Sequence, residues 1–295
     1  MAEGPIFQRL ALIGLGLIGS SVARAVRLHG LAGEIVGHAR SEATRDRAMA
    51  LGFLDRVEAD PAEAVRGADI VMICSPLGTY RSVASAMAPG LMEGALVTDV
   101  GSVKACALRD LAQVLPDTVE IIPGHPIAGT EHSGPDAGFA ELFRGRYCIL
   151  TPPDDADPAA LGKLAQLWRK MGSTVEIMTA EHHDRVLAVT SHLPHLIAYT
   201  IVGTATDLEE DLKAEVIRFS ASGFRDFTRI AASDPVMWRD VFLNNKEAVL
   251  EVIQRFNEDL TALQRAIRWG EGDKLEELFT RTRAIRRGVI DAKQA

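Results

Sequence analysis

The sequence predicts an α/β fold class, in which a doubly wound parallel sheet is followed by a second domain that is entirely helical. Two observations support this prediction. Short apolar segments alternate with helical patterns through the first 179 residues. From Ala180 onward the patterns are long and helical, and the β signal almost disappears. We therefore place a first domain in residues 1–179 and a helical domain in residues 180–295.

The predicted strands are short apolar segments, most of which end in polar residues or in glycine and proline. They comprise residues 9–13, 34–40, 68–76, 95–102, 118–126, 146–152 and 173–179. Strands that alternate with helices form parallel sheets, and such sheets bind ligands at the carboxyl ends of their strands. Three segments end there in chemically suggestive residues: Cys74-Ser75-Pro76, Asp99-Val100-Gly101-Ser102 and Gly124-His125-Pro126.

Three long helices are predicted in the second domain. The first covers residues 180–206, and Pro194 is expected to kink it. Asp234 has the character of an N-cap and Pro235 suits the first helical position, so a second helix is predicted from there to about Trp269. The last covers residues 274–290. Helices with wide apolar faces often pack against a second copy of the chain, so we expect a homodimer.

Composition excludes several classes of protein. A net charge of -8 and a pI near 5.5 argue against nucleic-acid binding, which needs a basic surface. The three cysteines are scattered, which indicates a reducing compartment. The stretch after Arg9 resembles a signal peptide but also fits a strand, a turn and a helix. We therefore expect a cytoplasmic protein without a membrane segment.

The turn Gly14-Leu15-Gly16-Leu17-Ile18-Gly19 follows the first predicted strand and opens a helix. This is the context in which GxGxxG binds a dinucleotide in a Rossmann-type domain, because the glycines allow a tight turn and close approach of the backbone to a pyrophosphate. The predicted cofactor contacts are Gly14, Gly16, Leu17, Ile18 and Gly19, with Ser75 and Pro76 after the third strand. A glycine turn without a ligand is the alternative.

The end of the second predicted strand indicates which dinucleotide binds. It reads Gly37-His38-Ala39-Arg40-Ser41, without the acid that usually binds the ribose 2′-hydroxyl of NAD. Arg40 and Ser41 could instead hold a 2′-phosphate by charge and hydrogen bonding. We therefore predict NADP, with NAD as the alternative if Arg40 only stacks on adenine or faces water.

His125 is the candidate general base, because an alcohol that loses hydride must also release its hydroxyl proton. An imidazole with a pKa of about 6.5 suits that task. Ser102 follows another strand and could share a hydrogen bond with the same hydroxyl. Thr130 and Glu131 lie just beyond the histidine and could orient a reactant. A structural histidine that closes a turn is the alternative.

The helical domain supplies further candidates. His192 and His195 stand three apart in SHLPHLIA, but no further ligand accompanies them at a convincing spacing, so no metal site is predicted. Arg225 and Arg229 lie in FRDFTR. From these residues alone, an arginine that faces solvent or pairs with Asp226 is the simpler interpretation.

Several motifs go beyond these generic inferences. IGLGLIGSS, TDVGSVK, GHPIAGTEHSG, ILTP, SHLPH and GFRDFTRIAASDPVMWRD occur in this order. The chain thereby resembles the prephenate/arogenate (cyclohexadienyl) dehydrogenase family of tyrosine biosynthesis, from Leu10 to about Glu258. The last two motifs, following GHPIAG, are very specific. The resemblance implies a Rossmann domain followed by a helical dimerisation domain.

The resemblance also implies a reaction and residue roles. NAD(P)+ would take hydride from the carbinol carbon of a cyclohexadienol, and the ring would aromatise as its carboxylate leaves as carbon dioxide. His125 matches the catalytic histidine, which hydrogen-bonds the 4-hydroxyl, and Ser102 matches its partner. Arg229 matches the arginine that pairs with a substrate carboxylate, and His195 matches a second histidine that lines the substrate pocket. Thr130 and Glu131 match residues near the substrate side chain and the entrance to the site. Asp226 would hold Arg229 in place.

The resemblance leaves several choices open. Glu131 or Asp136 could meet the ammonium group of arogenate, so use of both prephenate and arogenate is expected. Tyrosine could inhibit at the substrate site. Two other functions would also explain the glycine turn: a different oxidoreductase of the β-hydroxyacid dehydrogenase or imine reductase type, and a non-catalytic dinucleotide-binding sensor. The other oxidoreductase would not account for GHPIAGTE together with FRDFTR, and the sensor would have no need for His125, Ser102 and Arg229.

Overall fold

The computed structural model of the chain describes residues 4–130, 132–206, 215, 218 and 222–291. Glu131, one of the predicted substrate-binding residues, lies outside the described residues. Contacts divide the chain into two compact units, Met1–Lys246 and Glu247–Ala295. All of the candidate site residues that are described fall in the first unit.

A six-stranded parallel sheet forms the centre of the first unit. Its strands are β1 (Phe7–Ile13), β2 (Ala32–His38), β3 (Arg56–Glu58), β4 (Ile70–Ile73), β5 (Leu96–Asp99) and β6 (Glu120–Ile121). The order β3-β2-β1-β4-β5-β6 reverses direction between β1 and β4. A doubly wound sheet binds its ligand at that switch point, beside the carboxyl ends of the strands. The predicted fold class is therefore confirmed.

The strand β3 was missed by the sequence analysis because it carries no apolar run. Its sequence is Arg56-Val57-Glu58, and it forms the edge of the sheet beside β2. Arg56 donates to Glu34 of β2 at 2.8 Å and to Glu58 at 2.8 Å. Charged side chains at an edge strand are common, since they discourage pairing with other chains.

Helices cover both faces of this sheet. They are α1 (Leu17–His29), α2 (Glu42–Ala50), α3 (Pro61–Val65), α4 (Tyr80–Met87) and α5 (Lys104–Ala112). Leu10 and Leu12 of β1 pack into one apolar cluster with α1, whereas Ala11 and Ile13 pack into a second cluster with α4 and α5. This alternation follows from the period of two along a strand, and it explains why the strands read as continuous apolar runs.

A second, three-stranded sheet follows the first. Its strands are β7 (Gly124–Pro126), β8 (Tyr147–Leu150) and β9 (Thr174–Ile177), with β7 antiparallel to β8 and β8 parallel to β9. The predicted strand 118–126 is thus divided between two sheets. The division falls at Pro123, where the chain changes partner: Ile122 N donates to Val97 O, and Pro123 O accepts from Thr151 N. Helix α6 (Pro158–Lys170) precedes β9.

The helical part of the first unit starts at α7 (Ala180–Leu187), continues through a π-helical turn (Ala188–His192) and passes into α8 (Leu193–Thr206). Pro194 was expected to kink this helix, and the structure places the π turn immediately before it. Proline lacks the N–H that a regular turn would use, and π turns absorb such an irregularity. The segment Ala180–Ala205 is long and apolar enough to cross a membrane by length and composition only, and its most apolar 18-residue window has a mean hydropathy of 1.4.

Two more helices complete the first unit: α9 (Ser222–Thr228) and α10 (Pro235–Asn244). The predicted cap is present, because Asp234 accepts a hydrogen bond from Met237 N at 2.8 Å. The helix does not run on to Trp269, since it ends at Asn244 and Asn245 is its C-cap. The second unit consists of α11 (Lys246–Arg268) and α12 (Gly272–Asp291).

Candidate active site

The glycine turn after β1 has the geometry that a dinucleotide requires. Gly14 has φ 112°, and a Cβ there would lie 2.7 Å from the carbonyl oxygen of Cys74. A Cβ on Gly19 would lie 2.0 Å from Gly14 O. Gly16 differs, because no atom lies within 4 Å of its Cβ position. Gly14 and Gly19 are therefore needed for packing within the protein, while Gly16 leaves open space against the backbone.

The N-terminus of α1 borders this space. Gly16 is its N-cap, no side chain caps the helix, and its first turn contains no acid. The amides of the first turn, which include Leu17 and Ile18, thus suit an anion together with the positive end of the helix dipole. Ser75 lies at the same edge, since its backbone nitrogen would be 2.8 Å from a Cβ on Gly14. Pro76 follows it. These residues fit the pyrophosphate of a dinucleotide.

Two arginines lie at the end of β2. Arg40 is exposed, and Ser41 caps α2, where its hydroxyl accepts from Thr44 N at 3.4 Å. Arg45 Nη1 donates to Ala39 O at 2.8 Å and to Arg40 O at 3.0 Å. Arg45 was not predicted from the sequence to contact the cofactor. Its spacing is informative in retrospect, because a residue four positions after a helix N-cap lies one turn above it.

A buried carboxylate, Asp99 at the end of β5, organises the opposite part of the sheet edge. Asp99 and Lys104 have fully buried side chains, and Lys104 Nζ lies 2.5 Å from Asp99 Oδ2. The same oxygen accepts from the hydroxyl of Tyr80 at 2.8 Å and from Gly101 N at 2.8 Å. Burial, together with Asp99, raises the pKa of Tyr80 far above its usual value. Tyr80 therefore stays a hydrogen-bond donor.

Asp99 also brings together the two segments that carry the predicted catalytic pair. Its Oδ1 accepts from Gly124 N at 3.2 Å, and Lys104 Nζ donates to Gly124 O at 2.6 Å. Ser102 and His125 each follow a glycine whose amide is bonded to this carboxylate. The loop that carries Ser102 and the strand β7, which carries His125, are thus both hydrogen-bonded to the buried carboxylate of Asp99.

His125 is the first member of a hydrogen-bonded chain that leads into the interior. Its Nδ1 lies 2.9 Å from His183 Nε2, and His183 Nδ1 lies 2.8 Å from Asp184 Oδ1. Asp184 accepts in turn from the amides of Lys104 at 2.7 Å and of Ala105 at 3.0 Å. Those amides open α5, where the helix dipole also favours an anion. His125 is 9% exposed and His183 is fully buried.

The surroundings keep both histidines of this chain neutral near pH 7. Burial holds the pKa of His125 well below its ordinary value, and His183, Lys104 and His192 lower it further. Burial also lowers the pKa of His183, although the hydrogen bond to Asp184 opposes that shift. A neutral imidazole has one nitrogen that accepts a proton, which is the form that a general base requires.

His195 lies in a second cluster on α8 and α10. Its ring stacks on Trp238 with centroids 3.7 Å apart, and its Nδ1 lies 2.9 Å from Ser191 O. Burial lowers the pKa of His195, and Arg229 lowers it further by its positive charge. The structure therefore brings the predicted residues His195 and Arg229 near each other.

The two clusters are joined by Asn245. Its Nδ2 donates to Asp184 O at 2.8 Å and lies 3.0 Å from His192 Nδ1. This contact explains why the predicted long helix is interrupted at Asn245. The side chain is buried and committed to the π turn and to Asp184, and its backbone leaves helical geometry at φ -108° and ψ 32°.

The remaining candidates lie on the surface. Thr130 is exposed and accepts from His132 N at 3.3 Å, and Asp226 and Arg229 are exposed on α9 and the turn after it. Asp136, considered above for an ammonium group, is bonded to Arg47 of α2, whose Nε lies 2.9 Å from Asp136 Oδ1. Asp136 is therefore already paired with a cation.

Of the four buried polar residues of the site, Asp99 was named from the sequence in the segment Asp99-Val100-Gly101-Ser102 without a role of its own, and Lys104, His183 and Asp184 were not singled out. Asp99 and Lys104 stand in the quoted motif TDVGSVK, and AEHHD contains the other two. Charged residues are seldom fully buried unless they are paired, so an acid at the end of an apolar strand was the available signal.

Family models match nearly the whole chain. Residues 22–177 match the prephenate dehydrogenase nucleotide-binding domain, and residues 179–281 match the prephenate dehydrogenase dimerization domain. A cyclohexadienyl dehydrogenase of Zymomonas mobilis is 44% identical over 281 residues, which cover 95% of this chain and 96% of the relative.

Solved structures agree with these matches. A prephenate dehydrogenase from A. aeolicus, in complex with hydroxyphenyl propionate and NAD+, has a TM-score of 0.89 and 35% identity, and the match covers 96% of this chain and 98% of that one. The Synechocystis arogenate dehydrogenase has a TM-score of 0.80 and 28% identity, with 95% and 99% covered. The glycine turn, the buried histidine and these matches agree, and the chain belongs to the prephenate dehydrogenase family.

Proposed function

We propose that the chain catalyses the oxidative decarboxylation of prephenate, of arogenate or of both, in tyrosine biosynthesis. One observation carries the proposal: a neutral, buried histidine, His125, follows a glycine whose amide is bonded to Asp99, at the end of β5 of the six-stranded sheet, and the same carboxylate holds the amide of the glycine before Ser102. The cofactor is a nicotinamide dinucleotide, which when bound accepts hydride from the carbinol carbon. The products are 4-hydroxyphenylpyruvate from prephenate and tyrosine from arogenate.

The side chains of the site have separate tasks in this reaction. His125 accepts the hydrogen bond of the ring hydroxyl, which increases the electron density on the carbinol carbon, and Ser102 shares that hydroxyl. Arg229 pairs with a substrate carboxylate, for which a guanidinium offers two parallel donors. His195 lines the pocket on the rigid surface of Trp238. Because aromatisation favours the products strongly, correct positioning accounts for most of what the protein must supply.

The direct test uses absorbance at 340 nm and the full-length protein. Prephenate and arogenate are each combined with NAD+ and NADP+. Formation of reduced cofactor with either substrate supports the proposal, and the four rates rank the substrates and the cofactors. Four inactive combinations, with dinucleotide binding verified by calorimetry, would contradict the reaction and favour a non-catalytic sensor.

We infer NADP as the preferred cofactor, with NAD as the alternative. Arg40 and the hydroxyl of Ser41 follow the end of β2, and Arg45 of α2 reaches back to donate to the carbonyl oxygens of Ala39 and Arg40. The strand ends at His38 and continues into Ala39, so no acid occupies the position that would repel a 2′-phosphate. A phosphate at this point would meet one or two guanidinium groups.

We propose that both prephenate and arogenate are accepted, and that Thr130, Glu131 and Asp226 act at the mouth of the site. Thr130 and Glu131 would meet the substrate side chain, and Asp226 would orient Arg229. The pairing of Asp136 with Arg47 leaves Glu131 as the acid for the ammonium group of arogenate. Tyrosine, which carries an alanyl side chain and a phenol, would inhibit by occupying the same site.

We also propose a cytoplasmic homodimer formed through the helical half. The apolar segment Ala180–Ala205 has only 22% of its most apolar window buried. A second copy of the chain would cover such a surface, in keeping with the description of the matched domain. We place the domain boundary near Thr179. Residues 1–179 would bind the cofactor, and residues 180–295 would bind the substrate and form the dimer.

A further inference from the structure

A series of hydrogen bonds runs from His125 through His183 to Asp184, and none of the roles proposed above for the reaction uses it. It contains two titratable side chains, His183 and Asp184, on α7, and it ends at the first amides of α5. Each link is between 2.7 and 3.0 Å long. A buried histidine with only a structural role could make the same bonds, but the order of donors and acceptors along them also determines the tautomer of His125.

The bonding order determines which nitrogens carry protons. Asp184 receives two backbone N–H groups and is an acceptor, so His183 donates its Nδ1–H to it. A neutral His183 then has a lone pair on Nε2, which lies 2.9 Å from His125 Nδ1. His125 must therefore donate from Nδ1, and its Nε2 carries the lone pair. That is the nitrogen left for a substrate hydroxyl.

We propose that His183, held by Asp184, is a positioning residue that fixes the tautomer of His125 and receives its Nδ1 proton during the reaction. This inference rests on the proposed function. It means that two residues of α7, His183 and Asp184, assist the proton transfer by His125 of β7. In structural terms, His125, His183 and Asp184 form a relay comparable in bonding order to a catalytic triad, with a second imidazole in the middle.

The protons and electrons balance within this scheme. As hydride leaves the carbinol carbon with two electrons for the nicotinamide, the hydroxyl oxygen becomes a carbonyl and its proton passes to His125 Nε2. The proton on His125 Nδ1 moves to His183 Nε2, so His125 stays neutral. Loss of carbon dioxide returns an electron pair to the ring oxygen as a phenolate. The protons then move back along the same path, and the product leaves as a phenol.

The charges around the two imidazoles favour His183 as the site of the transient positive charge. The groups whose charge acts on His125 are His183, Lys104 and His192, all of which oppose a second positive charge. His183 faces Lys104 as well, but also Asp184 at 2.8 Å and the buried Asp99. Anions are thus concentrated around the second imidazole, and a buried cation is tolerated only where it is paired.

The first test measures the tautomers without any turnover. The protein is labelled with ring-15N histidine, and its imidazole nitrogens are assigned through the variants His125→Asn and His183→Gln. We expect a protonated Nδ1 and an unprotonated Nε2 for both His125 and His183 near pH 7. A protonated Nε2 on His125 would overturn the proposal whether or not the enzyme acts on prephenate.

The second test separates positioning from proton transfer. In His183→Gln the amide oxygen can accept the hydrogen bond of His125, but it cannot take the proton. We expect kcat to fall about 10- to 100-fold, the scale of one general acid–base contribution, with KM changed by less than about threefold. The rate in mixtures of H2O and D2O should show two protons in flight for the wild type and one for the variant.

Two further variants make the test decisive. His182→Gln is the matched control, because His182 is the exposed neighbour on the same helix, and its kcat should equal that of the wild type. The double variant His125→Asn/His183→Gln should be no slower than His125→Asn alone, because residues that act as a unit are not additive. Full additivity, or an unchanged kcat and isotope profile in folded His183→Gln, would overturn the relay.

Discussion

The site has two sides that are built differently. Behind His125, buried polar groups are bonded to one another and to backbone amides: Asp99, Lys104, His183 and Asp184. The residues proposed to contact the substrate, Arg229, Thr130 and Asp226, are instead exposed on turns and a short helix. The difference suggests a division in which the buried side sets the rate of the chemistry and the exposed side selects and holds the substrate.

The largest effect is expected on the buried side, at the base itself. In the proposed reaction, His125→Asn removes the proton acceptor of the substrate hydroxyl and leaves the proposed substrate contacts of Arg229 and His195 in place. We expect kcat to fall by about 10²- to 10⁴-fold with much smaller change in KM, measured by steady-state kinetics at 340 nm. Near-normal turnover would remove His125 from its role.

The anchor behind both catalytic segments should determine stability as well. In Lys104→Met the carboxylate of Asp99 loses its cation inside the protein, which costs on the order of 3–5 kcal/mol in the free energy of unfolding. Urea denaturation measures the loss. The double variant Asp99→Asn/Lys104→Met removes the uncompensated charge and should recover part of it. Equal stability of the single variant and the wild type would contradict the importance of the pair.

Acid should destabilise the buried side through its histidines. Burial lowers the pKa of His192 to about 4, from about 6.5 in the unfolded chain. The unfolded state therefore binds a proton first, and the stability contributed by neutral His192 is complete above pH 6.5 and lost as the pH falls towards 4. The loss amounts to about 3 kcal/mol at most.

Denaturation between pH 4 and 7 measures this slope. The slope of the free energy of unfolding against pH should be shallower in His192→Asn than in the wild type. The variant His29→Gln, which changes an exposed histidine, should have the same slope as the wild type. His125 and His183 add slopes of the same sign, because burial lowers their pKa values too. Parallel curves for the wild type and His192→Asn would contradict the assignment.

The exposed side should respond in binding rather than in rate. Arg229→Ala removes the proposed partner of a substrate carboxylate, so we expect KM to rise by roughly 10- to 100-fold, the scale of a charge-assisted hydrogen bond, with kcat less affected. Arg225→Ala is the matched control, since Arg225 is exposed on the same segment. A fall in kcat without a rise in KM would show that Arg229 acts in the chemical step, and it would contradict the proposal that the exposed residues serve substrate binding.

The smallest effect is expected at the cofactor end. Arg40→Asp and Arg45→Ala should each weaken the binding of NADP+ by about tenfold or more, which corresponds to the loss of one charged contact. The affinity for NAD+ should change little. Titration of cofactor binding by calorimetry measures both, with Arg109→Asp on α5 as a control for the change of charge. NADP+ affinity that survives Arg40→Asp would show that Arg40 does not hold the phosphate.

Local patterns were sufficient for most of the fold. The glycine turn, the apolar strands and the cap at Asp234 depend on neighbours within a few residues, so the sequence predicted them directly. The segment 118–126 was predicted as one strand, because nothing local shows that Pro123 marks a change from one sheet to the other. The helix predicted to reach Trp269 ends at Asn244, because the side chain of its C-cap, Asn245, bonds Asp184 and His192, which are far away in the chain.

The sequence by itself determined the class of fold, the cofactor turn and, through the resemblance of its motifs, the family and the candidate residues His125, Ser102 and Arg229. Only the tertiary structure decided how these residues are supported. Asp99 bonds residues 25 positions away, and His183 lies 58 positions from His125. Such contacts depend on how strands and helices pack, and hydrogen bonds between them leave no periodic pattern in the sequence.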